Sequence, residues 1–274
     1  MLTVQQIKAI AGAAGNAANM QSVIAGLARF GEKAGLNRPH RLAHYLAQLA
    51  HESGRFIYDR EIWGPTPAQK RYEDRADLGH SAAISGEAST FRGRGPIQVT
   101  GRHNYRKFTA WARTIDPAAP DFEANPDALL TDPWEGLSPI WYWDSGNPDG
   151  KSLNRYADEN NIEMITKRIN GGLNGYADRI ELYTRTALVM LGYQIKEKVI
   201  EHFQADAGLM VDDVAGPKTR DALHARLLVL KWPEPKLEPA PVVLAPPVLD
   251  QIDVAALRRH LESALALMPP QKKD

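Results

Sequence analysis

Stretch after stretch of this chain brings apolar residues back at spacings of three and four, and that habit confines it to a fold built from helices. Residues 3 to 34, rich in Ala, Gln, Ile and Leu, read as two short helices broken around Gly15 and Asn16. Pro39 to Ser53 reads as a clearer helix, with Pro39 in the first turn, where its missing N–H costs nothing, and Gly54 behind it as a stop. Helical spacing returns at His103 to Trp111, Trp134 to Tyr142, Ile162 to Ile169 and Ala177 to Leu191, with turns at DPAAP, SGNPDG and NGGLNG between them. From Phe56 to Thr90 the pattern is irregular and polar, and so long an aperiodic stretch inside a compact domain marks a functional loop region. Ile97 to Thr100, after the turn in FRGRG, has a strand-like run. The expectation is a mainly α fold with at most a small strand element.

The pattern changes beyond Trp232, where six of the fifteen residues from Pro233 to Pro247 are proline. Such a run favours extended polyproline conformation and works as a semi-rigid spacer. After it, Val254, Leu257, Leu261 and Leu265 recur at helical spacing, a stripe that suits docking on the same protein or a partner, with membrane attachment as the alternative. The chain therefore divides into a larger domain at 1–195, a helical segment at 196–231, a proline-rich linker at 232–249 and an amphipathic helix with a tail at 250–274. Lys plus Arg and Asp plus Glu both number 33, so no net field favours nucleic acid or an anionic surface. Cysteine is absent, which removes disulfides and thiolate chemistry and suits a reducing compartment. The N-terminus has only Lys8 near its start and an apolar run broken by Gly12, Gly15, Asn16 and Asn19, a poor secretion signal. No run of eighteen or more apolar residues occurs, so no integral membrane segment is expected, and the cytoplasm of the producing cell is the expected location.

On the Pro39 to Ser53 helix, Leu42, Tyr45, Leu46 and Leu49 make one apolar stripe, and Glu52 falls on its Tyr45 edge. A carboxyl group beside apolar surface is favoured in its protonated form, as a general acid working near neutral pH requires. Glu61 lies nine residues on. Within one helix the two would be about 13.5 Å apart on opposite faces, but Gly54 lets the chain turn back so that Glu61 faces Glu52 across a cleft. Two carboxyl groups with room for a water between them, about 6.5–9.5 Å apart, are the equipment of an inverting glycosidase. Glu73, Asp74, Asp77 and Glu87 are rival acids in the same region.

Three motifs in one order, HES at 51–53, RGRGPIQVTGRHNY at 92–105 and NGGLNGYADRI at 170–180, resemble the family 19 glycoside hydrolases, the chitinase and lysozyme-like group that includes many phage endolysins. The resemblance covers roughly residues 35 to 193 and implies a lysozyme-like α-rich catalytic domain. It implies Glu52 as general acid, Glu61 as the second acid at the endolysin spacing, and Thr100 as the hydroxyl that helps the base hold the attacking water. Gln98 and Asn104 match cleft residues that bind sugar hydroxyl and acetamido groups. Asn170 and Arg179 match a pair at the far wall of the cleft, the arginine helping to position the second carboxylate. A nearby arginine favours an ionised carboxylate, which would separate base from acid. Residues 199 to 223, with FQ, GL and GPKT, resemble the second half of a small helical peptidoglycan-binding module, although Asp213 stands where glycine is usual.

The implied activity is cleavage of β-1,4 bonds in bacterial peptidoglycan, an endolysin-type lysis, by a monomer without metal or cofactor. The first alternative is a chitinase acting on N-acetylglucosamine polymers, and the second a non-catalytic wall-binding protein on the same scaffold. Trp141 to Trp143 are expected mostly in the core, since adjacent aromatics cannot all face one groove. His44 and His51 share a helical face without an HExxH pattern, and ADENN at 157–161 lacks the spacing of a calcium loop, so both read as structural.

Overall fold

The computed structural model describes residues 2–231 except 13, 14 and 82; the linker and amphipathic helix expected at 232–274 lie outside the described residues. Ten helices carry the architecture: α1 (Val4–Ala11), α2 (Ala17–Gly26), α3 (Pro39–Glu52), α4 (Arg102–Ile115), α5 (Trp134–Trp141), α6 (Asn154–Asp158), α7 (Ile162–Asn170), α8 (Tyr176–Met190), α9 (Val199–Asp206) and α10 (Pro217–Val229). The mainly α, lysozyme-like reading is correct. Local chemistry sets the ends. Thr3 and Gln6 close a reciprocal capping box on α1, Gly12 ends it in the left-handed region, and Asn16 caps α2 through the amide of Ala18. The break around Gly15 and Asn16 thus falls where the sequence puts it.

Helix α3 is the centre of the molecule. Its expected stripe of Leu42, Tyr45, Leu46 and Leu49 is buried, but so are His40, Ala43, His44, Ala47, Gln48 and Ala50. The helix is enclosed on nearly every face, because α8 packs along it and α1, α6 and α10 cover the rest. His40 Nε2 lies 2.8 Å from Asp158 Oδ1, whereas both ring nitrogens of His44 are buried without a hydrogen-bond partner. His44 stacks on Tyr183 of α8 with centroids 4.2 Å apart, and His224 of α10 lies 5.4 Å from His40 and 6.0 Å from His44. Burial holds the His44 imidazole well below its usual range and lowers His40 and His224 as well.

A second seam joins α2 to α5, where glycine sets the distance. A Cβ on Gly136 would lie 1.8 Å from the Ser22 carbonyl oxygen, and one on Gly26 would lie 2.1 Å from that of Gly136. The two backbones touch. At the C-terminal end, Phe203, Leu223 and Leu227 are buried, and α10 lies against α3 and α8. Gln204 of the FQ pair orders the loop between α9 and α10: its Nε2 donates to Asp212 Oδ1 at 2.7 Å and its Oε1 accepts the amides of Asp212 and Asp213.

The strand-like run at Ile97 to Thr100 is a tight turn instead. Arg94 makes single antiparallel bridges to Arg60 and to Val99, and between these Gly95 and Gln98 take positive φ, 72° and 56°. Its apolar residues Ile97 and Val99 are buried in the core, an alternation that imitates a strand. Across the aperiodic stretch the structure has only single-turn helices, among them Pro67–Lys70 and Glu87–Thr90. Among the described residues no helix is long and apolar enough to cross a membrane.

Candidate active site

Glu52 is the last residue of α3, placed where the enclosed helix emerges, with its side chain 19% exposed. Arg179, fully buried on α8, donates one terminal nitrogen to Glu52 Oε1 and the other to Gln48 Oε1. Its Nε reaches the Asn174 carbonyl at 3.4 Å. The hydroxyl of Tyr142, in the turn that follows α5, donates to the Ile169 carbonyl at 3.4 Å and is pushed up to about 12, first by burial and then by the Glu52 charge. Beside this group His51 Nδ1 lies 2.6 Å from Asp178 Oδ2, and Arg55 donates to Asp178 Oδ1 at 2.5 Å. The last glycine of NGGLNG is needed here, since a Cβ on Gly175 would lie 2.1 Å from the His51 ring.

Glu61 belongs to a second group. Its backbone amide donates to the Gly93 carbonyl at 2.9 Å, and its Oε2 accepts the Gly93 amide at 3.2 Å. Gln69, which is buried, donates to Glu61 Oε1 at 2.9 Å and to the Ile62 carbonyl at 2.8 Å. The arginine expected beside the second carboxylate is therefore on the first. The guanidinium of Arg179 is committed to the α3 face, while Glu61 is steadied by an amide and a backbone N–H.

The turn that contacts Glu61 also carries Gln98, Thr100 and Asn104. Gln98 Nε2 donates to the Gly95 carbonyl at 2.9 Å, Thr100 Oγ1 to the Gln98 carbonyl at 2.8 Å, and Asn104 Nδ2 to the Thr100 carbonyl at 2.9 Å. All three side chains are half-buried and brace the turn. Asn170 is exposed at the end of α7, where Gly171 caps the helix in the left-handed region. The structure thus gathers Glu52 with Arg179, and Glu61 with the 93–104 turn. No hydrogen bond joins the two groups among the described residues.

Two rival acids have structural duties. Glu73 accepts the amides of Gly86, Glu87 and Ala88 at the start of a single-turn helix, and Glu87 is 2% exposed and paired with Arg102. Asp77 pairs with Arg75 at the surface. Trp141 and Trp143 are buried in the core as expected, and Tyr142 between them is half-buried. Gln48 and Gln69 are absent from the candidate residues named above; for Gln48 the signal was there, a polar residue one helical turn before Glu52 in an apolar stretch. Among the described residues no cluster of three or more His, Asp or Glu side chains is suited to a metal ion.

No protein-family model matches the chain. A Haemophilus influenzae protein described as a glycosyl hydrolase family 19 domain-containing protein is 34% identical over 178 residues, a match spanning 56% of this chain and 81% of that one. The fold is similar to chitinase C from Streptomyces griseus, with a TM-score of 0.53 and 20% identity, covering 70% of this chain and 77% of that one. It is similar also to a bacterial family 19 chitinase, with a TM-score of 0.53 and 21% identity, covering 72% and 98% of the two chains. The relative fixes the family and the two structures agree on the fold, so this chain belongs to glycosyl hydrolase family 19 and is a glycoside hydrolase.

Proposed function

We propose that the chain is an endolysin-type hydrolase of the β-1,4 bonds of bacterial peptidoglycan, working by inversion with Glu52 as general acid and Glu61 as general base. One observation carries the choice of the two carboxyl groups. Glu52 and Glu61 are both partly exposed, while Glu73 and Glu87 are tied into helix capping and a buried ion pair. Glu52 gives its proton to the leaving glycosidic oxygen. Glu61 takes a proton from a water that attacks the opposite face of the sugar. Thr100, on the turn that touches Glu61, shares that water, and Gln98, Asn104 and Asn170 meet sugar hydroxyl and acetamido groups through their amides. Arg179 holds Glu52 in place and, as a cation, favours its ionised form, so on this reading the proton that Glu52 delivers is held against that pull.

The choice of peptidoglycan rests on the cysteine-free composition and on the resemblance of the α9–α10 segment to part of a wall-binding module, with FQ on α9 and GPKT at the start of α10. A chitinase is the second reading, favoured by the two similar structures, which are chitinases. Mass spectrometry of fragments released from purified sacculi, run beside chitin oligomers, separates the two. Disaccharide-peptide fragments from sacculi are expected; cleavage of chitin oligomers with intact sacculi would establish the chitinase instead.

A further inference from the structure

Arg179 carries a charge that no solvent reaches, and a buried charge persists only with partners. Asp178 next to it is taken by His51 and Arg55. Among the described residues, Glu52 is the one carboxylate paired with Arg179. A general acid, however, must hold a proton for part of each cycle. In that state Glu52 is neutral, and the guanidinium is left with two neutral acceptors, Gln48 Oε1 and the Asn174 carbonyl.

Gln48 is built for that place. It precedes Glu52 by four residues on α3, so both side chains leave one helix face at a spacing that the two arms of a guanidinium can span. An arginine has only donors, so the amide must present its oxygen to Arg179. Its Nε2 is then left buried without a partner, a penalty that leucine at the same position would escape.

On the reading of Glu52 as the acid, we infer that Gln48 is a positioning residue for catalysis: it is the neutral second acceptor that keeps Arg179 in place while Glu52 carries its proton. Neutrality matters as much as hydrogen bonding. An apolar residue at 48 leaves Arg179 dependent on ionised Glu52, while a carboxylate at 48 compensates the guanidinium by itself. The other groups facing this cluster are Tyr142 after α5 and the His51–Asp178–Arg55 set, and neither variant touches them.

The test uses the full chain carrying Gln48→Met or Gln48→Glu, with folding checked by circular dichroism and kcat and KM followed against pH on a soluble glycan oligomer. For Gln48→Met, kcat at neutral pH should drop about tenfold with KM within about twofold, and the limb on which activity falls as pH rises should move about one pH unit toward acid. For Gln48→Glu the same limb should move toward alkali. Folded variants whose profiles overlay the parent, or move in the same direction, would overturn the inference, and if Gln48→Met fails to fold, the direction of the Gln48→Glu shift decides alone. Full activity of Glu52→Gln would instead sink the assignment of the acid on which this rests.

Discussion

At the scale of single residues the two acids should be separable by substitution. Glu52→Gln keeps size and hydrogen bonding but not the proton, so turnover should drop by the ~10²–10⁴-fold expected of general acid catalysis, and the melting temperature should fall as well, because buried Arg179 is left with neutral acceptors alone. Glu61→Gln should lose turnover too, yet azide should restore product of inverted configuration, as read by NMR of the anomeric proton. Thr100→Val should cost less, on the order of 1–3 kcal/mol in kcat/KM, the worth of one buried hydrogen bond. Glu73→Gln should act through folding: it weakens a cap of three amides, so the melting point falls while kcat per folded molecule holds. Activity abolished in folded Glu73→Gln with full activity in Glu61→Gln would reassign the base. The motifs made Glu52, Glu61 and Arg179 legible in sequence, but not which carboxylate the arginine holds. That depends on α8 lying along α3, a contact between residues 127 apart that no local pattern encodes.

At the scale of elements, the seam between α2 and α5 has no room for a methyl group. Gly136→Ala should destabilise by at least the ~1–3 kcal/mol typical of overpacking, measured by denaturant unfolding, whereas Gly64→Ala, with open space around it, should be nearly silent. Beside that seam Glu135 is buried, 3.4 Å from Ser22 Oγ, and its carboxyl is raised to about 7 by burial, then by Asp59 and Asp132. A raised carboxyl binds its proton more tightly folded than unfolded. Its contribution is therefore intact below pH about 4.5 and declines as pH climbs to about 7, by on the order of 3 kcal/mol. Glu135→Gln should remove that decline and raise stability at pH 8. The histidines on the α3–α10 seam work in the opposite sense: neutral when folded, they lose stability as pH falls below about 6.5. His44→Leu should flatten the acid side. Sequence periodicity found these helices, because burial on one side imposes it; the 94–99 turn escaped, because burying alternate residues in a turn mimics a strand.

At the scale of the whole molecule, α9 and α10 are packed into the body that carries the site. A chain ending at 195 leaves His44 and His40 without the His224 ring of α10 and should melt well below the parent; an equal melting point would show the seam to be energetically idle. Cleavage of soluble glycan by the shorter chain in the cold would agree with all candidate residues lying before Gly192. The order of the longer helices was readable from pattern, while the short helix Asn154–Asp158 was not. The enclosure of α3 was not, since polar His40, His44 and Gln48 interrupt the stripe that a buried helix would otherwise show.

A helix walled in by four others admits few substitutions without repacking, so changes of substrate are better sought outside it. The exposed Ile57, Tyr58, Ile62, Ile84 and Leu173 lie on the segments around it, none of them bearing on the core. A library meant to exchange one amino-sugar polymer for another would vary those positions and leave 39–52 untouched.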